Sequence, residues 1–263
     1  MQLLLGFLFA LIVALAARAA HSLSRSGALA ATLVGAIIFG IGGWDWAMLL
    51  LTFFVTSSAL SRAFKNRKKG LSEKFSKGHE RDAGQVFGNG GVATLFALLH
   101  GFFPQATWPW LGFAAALAAV NADTWATELG VLNPTSPRRI TDLRQRVEKG
   151  TSGGISLWGT LAALTGAAVI AAPAAGLAHL SFATFLGLTL AGLFGSLFDS
   201  WLGATAQAIY LCPTCQKETE RHPVHTCGTP TRQIRGWSWL NNDWVNFAAG
   251  AAGALMGLLL VLF

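Results

Sequence analysis

Apolar residues run along this chain in long blocks broken by short polar loops, and the blocks have membrane-spanning length. A hydrocarbon core of about 30 Å needs about 20 apolar helical residues, with about 17 as a lower bound. Such blocks occupy residues 2–17, 27–42, 44–61, 86–103, 109–132, 153–172, 181–210 and 242–263. The pattern predicts an all-α integral membrane protein of about eight transmembrane helices, a single membrane domain over 1–263. The second and third blocks are short and joined by Gly42-Gly43-Trp44-Asp45, which leaves a re-entrant pair open for them. The seventh is long enough to tilt, or to break at its glycines. The first lacks the positively charged start of a signal peptide and reads as a retained span.

Charge adds orientation. All Lys and Arg, 19 in number, fall in four stretches, 18–25, 62–81, 138–149 and 217–235. With eight spans, every one of these stretches lies on the same face. Loops rich in Lys and Arg stay cytoplasmic, so the charged loops are expected there and both termini outside, in an inner or plasma membrane. Composition agrees: 53% of the 263 residues are hydrophobic and 12% charged, against about 25% charged in soluble domains. The net charge of +7 then implies anionic lipid and phosphate as partners, and no nucleic acid, because no such motif is present. The run Lys65, Arg67, Lys68 and Lys69 reads as an orienting, lipid-facing segment.

Some polar residues fall inside the spans. A carboxylate near the bilayer centre costs at least about 2.5 kcal/mol, so it normally faces protein and a partner. Span five carries Asn121, Asp123, Thr124, Thr127 and Glu128; span seven carries Ser196, Asp199 and Gln207; span eight opens with Asn241, Asn242, Asp243 and Asn246. Asp123 and Glu128 are about 140° apart on a regular helix, so they serve one metal only if the helix is distorted. Otherwise they serve different partners. Acids on three spans, all toward one leaflet, suggest a divalent cation site for a hard ion such as Mg²⁺.

Two glycine-rich stretches suggest phosphate binding at helix N-termini: Lys149-Gly150-Thr151-Ser152-Gly153-Gly154 before span six, and Gly84 to Gly91, with Asn89, at span four. Glycine-mediated helix packing is the competing reading of both. Arg138, Arg139, Arg144, Arg146 and Lys149 form a basic run suited to clamping phosphates. No G-x-x-x-x-G-K-[ST] or kinase Gly-rich signature occurs, which excludes soluble nucleotide-hydrolase folds. All three cysteines lie in the last polar loop, 211–236, as Cys212-Pro-Thr-Cys215 and Cys227 with His222 and His225 between. That spacing suits a structural Zn²⁺ held by the three thiolates and either histidine; plain reduced thiols are the alternative.

Asn121-Ala-Asp-Thr-Trp-Ala-Thr-Glu-Leu-Gly, Gly150-Thr-Ser-Gly-Gly, Gly195-Ser-Leu-Phe-Asp-Ser with Gly203-Ala-Thr, the Cys-Pro-x-Cys loop and Asn241-Asn-Asp together resemble the transmembrane protein 19 family. It is also called domain of unknown function 92 and includes phytyl-phosphate kinase. The resemblance implies phosphoryl transfer from a nucleoside triphosphate, CTP or ATP, to a prenyl monophosphate. On that reading Asp123, Asp199 and Asp243 surround Mg²⁺, with Glu128 and Asn242 assisting. Lys149 and Gly150 to Gly154 hold phosphate, Arg139 and Arg144 clamp it, and Asn121 and Asn89 line the nucleotide side. An ion-coupled transporter and a CTP-dependent lipid cytidylyltransferase are the competing functions.

Overall fold

The structure is a computed structural model that describes residues 1–64, 74, 77 and 80–262. Eight helices account for most of it: α1 Gln2–Ala19, α2 Arg25–Gly42, α3 Trp44–Ala63, α4 Ala83–Phe102, α5 Trp108–Gly130, α6 Leu157–Leu177, α7 Phe182–Thr205 and α8 Asn242–Leu262. Their boundaries follow local chemistry. The hydroxyls of Ser24, Ser156 and Ser181 accept the first free amides of α2, α6 and α7, which offsets the unmet donors of a helix start. Asp82 and Gln85 form a capping box on α4. Pro109 sits in the first turn of α5, where its missing N–H costs nothing.

The α2–α3 pair is two full helices separated by Gly43 alone, at φ 79°. Only glycine enters that region without strain, so the chain reverses in one residue. α7 is continuous and stops at Thr205; its glycines do not break it. Gly192 and Gly195 instead let α7 approach Ala118 and Ala119 of α5 at backbone distance.

α5 is the axis of the bundle. It touches α3, α4, α6, α7 and α8, and every residue from Pro109 to Ala122 is buried. α1 and α2 form an outer pair joined to the rest mainly through α4, and also through α3. The outside of the bundle is apolar, with Leu3, Leu4, Ile12, Leu29, Leu190, Leu255 and Leu259 exposed, as a lipid-facing surface requires. Six helices, α1, α2, α3, α6, α7 and α8, are long and apolar enough to cross a membrane. α4 and α5 have the length but carry Gln85, Asn89 and His100, and Asn121, Asp123 and Glu128. Their polar residues are compatible with that setting because neighbouring helices, not lipid, surround α5.

The all-α expectation needs one correction. Two small antiparallel sheets form in the loops: β1 Arg138–Arg139, β2 Asp142–Arg146 and β3 Gly154–Ile155 in the order β2-β1-β3, and β4 Ile209–Cys212, β5 Lys217–Thr219 and β6 Arg232–Arg235 in the order β5-β4-β6. Long polar loops carry many backbone donors and acceptors, and strand pairing satisfies them. β4 also takes the end of the expected seventh span.

The loops α1–α2, α3–α4, α5–α6 and α7–α8 meet at one end of the bundle. Ser24 N donates to Arg81 O, Arg62 donates to Ala20 O, Lys74 Nζ pairs with Glu148, and Glu220 N donates to Lys74 O. All the described Lys and Arg are therefore gathered at that end.

Candidate active site

Below these loops α5 changes character. Past Ala122 its wall opens into a polar cavity of about 470 Å³. Asp123, Thr124, Thr127 and Glu128 line it from α5, and Ser196, Asp199 and Ser200 from α7. Gln85 and Asn89 come from α4, Asn242 and Asn246 from α8, and Ser61 from the end of α3. Lys77, Arg81, Lys149 and Glu220 reach in from the loops, with Gly150 to Gly154 forming a further wall.

The carboxylates divide into two sets. Glu128 is buried, accepts a hydrogen bond from Ser61 Oγ at 2.7 Å, and interacts electrostatically with Arg81. Asp199 lies near the charges of Asp123 and Glu220, and its Oδ2 is buried without a hydrogen-bond partner among the described residues. Asp123 and Glu128 thus face one cavity but serve different neighbours, as an undistorted helix requires. Like charges around a shielded carboxylate oxygen favour a cation. Asp123 and Asp199 supply the hard oxygen donors that suit Mg²⁺, and a wall this open leaves positions for water and phosphate oxygens.

The cations oppose them. Arg81 is half-buried, with its guanidinium over the rings of Phe53 and Phe54 at 5.6 and 5.9 Å. Burial pulls its pKa down to about 10, against the charge of Glu128, which acts to raise it; it stays protonated at neutral pH. Its backbone is pinned on both sides, Arg81 N to Ser22 O and Ser24 N to Arg81 O, each 3.0 Å. Lys149 Nζ donates to Val131 O at 3.3 Å. Lys77 bridges Asp82 and Asp243. Burial opposes charge on both Lys77 and Asp82, but pairing with Asp243 and then Asp82 outweighs it for Lys77, which is raised, and Lys77 with the Gln85 amide outweighs it for Asp82, which is lowered.

Several expected roles change. Asp243 does not line the cavity; it sits beside Gly84 of α4 and is paired with Lys77. Asp82 and Asp243 share the single charge of Lys77, and Asp243 Oδ1 is buried without a hydrogen-bond partner among the described residues, but of the expected triad only Asp123 and Asp199 line the cavity. Asn121 is fully buried above the cavity: its Nδ2 donates to Gly166 O at 2.7 Å, and its Oδ1 accepts from Thr56 at 3.3 Å. It ties α5 to α6 and α3, which is helix glue rather than a nucleotide contact. Arg139 and Arg144 lie on β1 and β2 and do not line the cavity, although Arg139 pairs with Gly154, which does. Asn242, Lys149 and Asn89 do line it, and Asn89 Nδ2 also donates to Gln85 O at 2.9 Å.

The Gly150–Gly154 stretch borders the cavity but does not open α6, whose first amides belong to Ser156. It is a turn in which Thr151 N donates to Glu148 O and Gly154 N to Thr151 O. Gly153, at φ 83°, presses on Ala204 where a Cβ would collide. Ser152 Oγ donates to Gln207 Oε1, and Gln207 Nε2 donates to Glu220 Oε1 at 2.9 Å. The Gly84–Gly91 stretch lies within α4, where Gly84 and Gly88 meet Asp243 and Gly91 meets Phe247; here packing is the role. Lys65, Arg67, Lys68 and Lys69 lie outside the described residues.

Sequence reasoning missed Lys77, Arg81 and Glu220 as members of one site. Lys77 and Arg81 belong to a basic stretch that reads as orienting charge, and Glu220 to the cysteine loop. No spacing rule links them to α5 or α7.

The family comparison agrees with this architecture. The integral membrane protein DUF92 family model matches residues 8–254. The chain belongs to that family. It is 32% identical over 277 aligned residues to Protein PGR of Arabidopsis thaliana, covering 94% of this chain and 92% of that one. It is 30% identical to the uncharacterized membrane protein MJ0933 of Methanocaldococcus jannaschii, covering 98% and 94%. It is 27% identical to Protein VTE6, chloroplastic, of Arabidopsis thaliana, covering 92% and 66%. No solved structure matches the chain.

Proposed function

We propose that this integral membrane protein is a kinase that transfers a phosphoryl group from a nucleoside triphosphate to a prenyl monophosphate of phytyl type, giving the diphosphate. The observation that carries the reading is the Oδ2 of Asp199, which has no hydrogen-bond partner among the described residues and is buried near Asp123 in a cavity also lined by Lys77, Arg81 and Lys149. Carboxylates and cations lining one cavity suit two phosphate chains that must be brought together. The resemblance to a family that includes phytyl-phosphate kinase points the same way.

A monophosphate acceptor has its second pKa near about 6, so at neutral pH it is largely dianionic and already a nucleophile. No general base is required. The obstacle is repulsion between two polyanions, and positioning with charge neutralisation overcomes it. Bound Mg²⁺ would supply neutralisation of the transferring phosphoryl oxygens, held by Asp123 and Asp199. Arg81 offers a planar fork of donors for the acceptor phosphate. Glu128 holds that fork in place from behind, and Asn242 and Asn89 offer neutral contacts. Lys149 and the Gly150–Gly154 turn face the nucleotide.

A second pocket, almost wholly apolar, lies among α1, α2, α3 and α4 and shares Arg81, Gln85 and Asn89 with the polar cavity. A phosphate at Arg81 would therefore have an apolar slot beside it for the start of a prenyl chain, with the remainder between helices in lipid. In this reading all eight helices cross the membrane, α4 and α5 sheltered by the others. The polar loops and cavity face the cytoplasm, and both termini lie outside, because the Lys and Arg gather at that end.

The test uses purified full-length protein in lipid nanodiscs with prenyl monophosphates, labelled CTP or ATP, and Mg²⁺. Mg²⁺-dependent prenyl diphosphate, lost in Asp199→Asn and Asp123→Asn proteins that remain monodisperse, is the expected result. Uptake of substrate into sealed vesicles without any diphosphate product would replace this reading with a transporter, and a nucleotidyl-lipid product with a cytidylyltransferase.

A further inference from the structure

The polar loop between α7 and α8 contains a second cluster that the phosphotransfer reading does not use. One potential ligand atom from each of Cys212, Cys215, His225 and Cys227 lies within 4.8 Å of the other three. We propose that these four side chains bind one Zn²⁺ in a closed, structural Cys₃His site, and that this site holds Glu220 at the rim of the cavity.

The distances favour a metal over the alternatives. Tetrahedral zinc, with Zn–S of about 2.3 Å and Zn–N of about 2.0 Å, sets neighbouring ligand atoms about 3.3–3.8 Å apart. Cys212 Sγ and Cys227 Sγ are 3.5 Å apart, and His225 Nδ1 is 3.2 Å from Cys227 Sγ. A disulfide needs about 2.05 Å, and all three cysteines are free thiols. Plain unliganded thiols have no reason to converge from a Cys-x-x-Cys turn and a separate loop.

The backbone is shaped to deliver them. Cys215 N points at Cys212 Sγ at 3.5 Å, and the turn continues through Gln216 at φ 54°. On the other side, His225 N donates to Thr229 O and Gly228 N to His225 O, which folds His225 and Cys227 onto the same point.

The structure also chooses between the two histidines. The His222 ring stacks on Tyr210, with centroids 4.5 Å apart and planes 14° apart, so it is engaged away from the cluster. The site then fixes β4 and β5, since Cys212 pairs with Lys217 and Tyr210 with Thr219. Glu220 follows directly, donates its backbone N–H to Lys74 O, and accepts from Gln207.

The metal site stands apart from the kinase reading, and its test needs no turnover. Full-length protein purified under reducing conditions is assayed for zinc by mass spectrometry. Chelator-stripped protein is then titrated with Co²⁺ and followed by visible and near-ultraviolet absorption. One zinc per chain and a tetrahedral Co²⁺ spectrum with thiolate charge-transfer bands are expected. His225→Ala loses the site, His225→Cys keeps it as a four-thiolate site, and His222→Ala leaves it unchanged. Monodisperse wild-type protein without zinc, whose three thiols all react freely and whose Co²⁺ spectrum lacks sulfur bands, would overturn the proposal. So would loss of the site in His222→Ala with His225→Ala unaffected.

Discussion

Two polar centres sit at the same end of this bundle and differ in almost every respect. The cavity between α5 and α7 is open, lined with oxygen donors, and built from helices far apart in sequence. The cysteine cluster is closed, sulfur-rich, and built within 16 residues of one loop, Cys212 to Cys227. Hard oxygen walls with room for water suit a cation that shares its coordination with phosphate. Four soft ligands leave no open position and suit a structural ion. Gln207 ties two sides of the cavity, Ser152 and Glu220, and Glu220 directly follows β5, whose Lys217 pairs with Cys212 of the cluster. The difference teaches that openness and donor type decide what a polar centre can do.

The strongest way to break this contrast is at Asp199. Asp199→Asn keeps the shape but removes the charge, and phosphotransfer should fall about 10²-fold or more, the scale of losing one electrostatic stabiliser. Zinc content should stay at the wild-type value; loss of both would mean the two centres are one. Arg81→Ala should cost about 10- to 100-fold in turnover, and Arg81→Lys should recover only part, because a point charge does not replace a planar fork. Initial rates over a range of prenyl monophosphate concentrations check this.

Stripping zinc sharpens the contrast from the other side. Activity should drop several-fold, by about 1 kcal/mol in the barrier, because Glu220 and Gln207 lose their support while Asp123 and Asp199 remain. A loss as large as that of Asp199→Asn would make the zinc catalytic.

A smaller effect concerns pH. The lowered pKa of Asp82 contributes stability that is present above the ordinary carboxylate value and lost as pH falls through the lowered one. The raised pKa of Lys77 contributes stability below the ordinary lysine value, lost as pH rises through the raised one. Both side chains are partly exposed, so screening holds the sum to below about 1 kcal/mol. Asp82→Asn should flatten the acid limb of a thermal-stability profile without touching either metal centre. Smallest of all, Arg144→Ala should change turnover less than about twofold, because that exposed strand residue lies outside the cavity.

The order of these effects also marks what could be read along the chain. All eight helices were visible as apolar blocks, with ends shifted by a few residues where Ser caps and Gly43 act. Asp123, Asp199 and Glu128 stood out because a carboxylate in an apolar block must face something other than lipid. The cysteine spacing pointed to Cys212, Cys215 and Cys227 with either histidine, and the fold brings those three thiols together with His225 while His222 stacks on Tyr210. Asp243 was legible as an acid at a helix start but not as the partner of Lys77. That pairing joins residues 166 positions apart, and no local pattern encodes it. Arg81 and Arg144 look alike in sequence, both basic loop residues; only one is folded beneath Phe53 and Phe54 against Glu128.

By itself the sequence determined the membrane environment, the helices and the side chains unable to face lipid, because hydropathy and capping act over one or two turns. Tertiary structure alone decided which charges meet. It chose Lys77 for Asp243, Arg81 for Glu128 and Asp123 for Asp199, because such contacts depend on which helices pack around α5. Opposite charges gain most where water is displaced, and that happens only after the walls close.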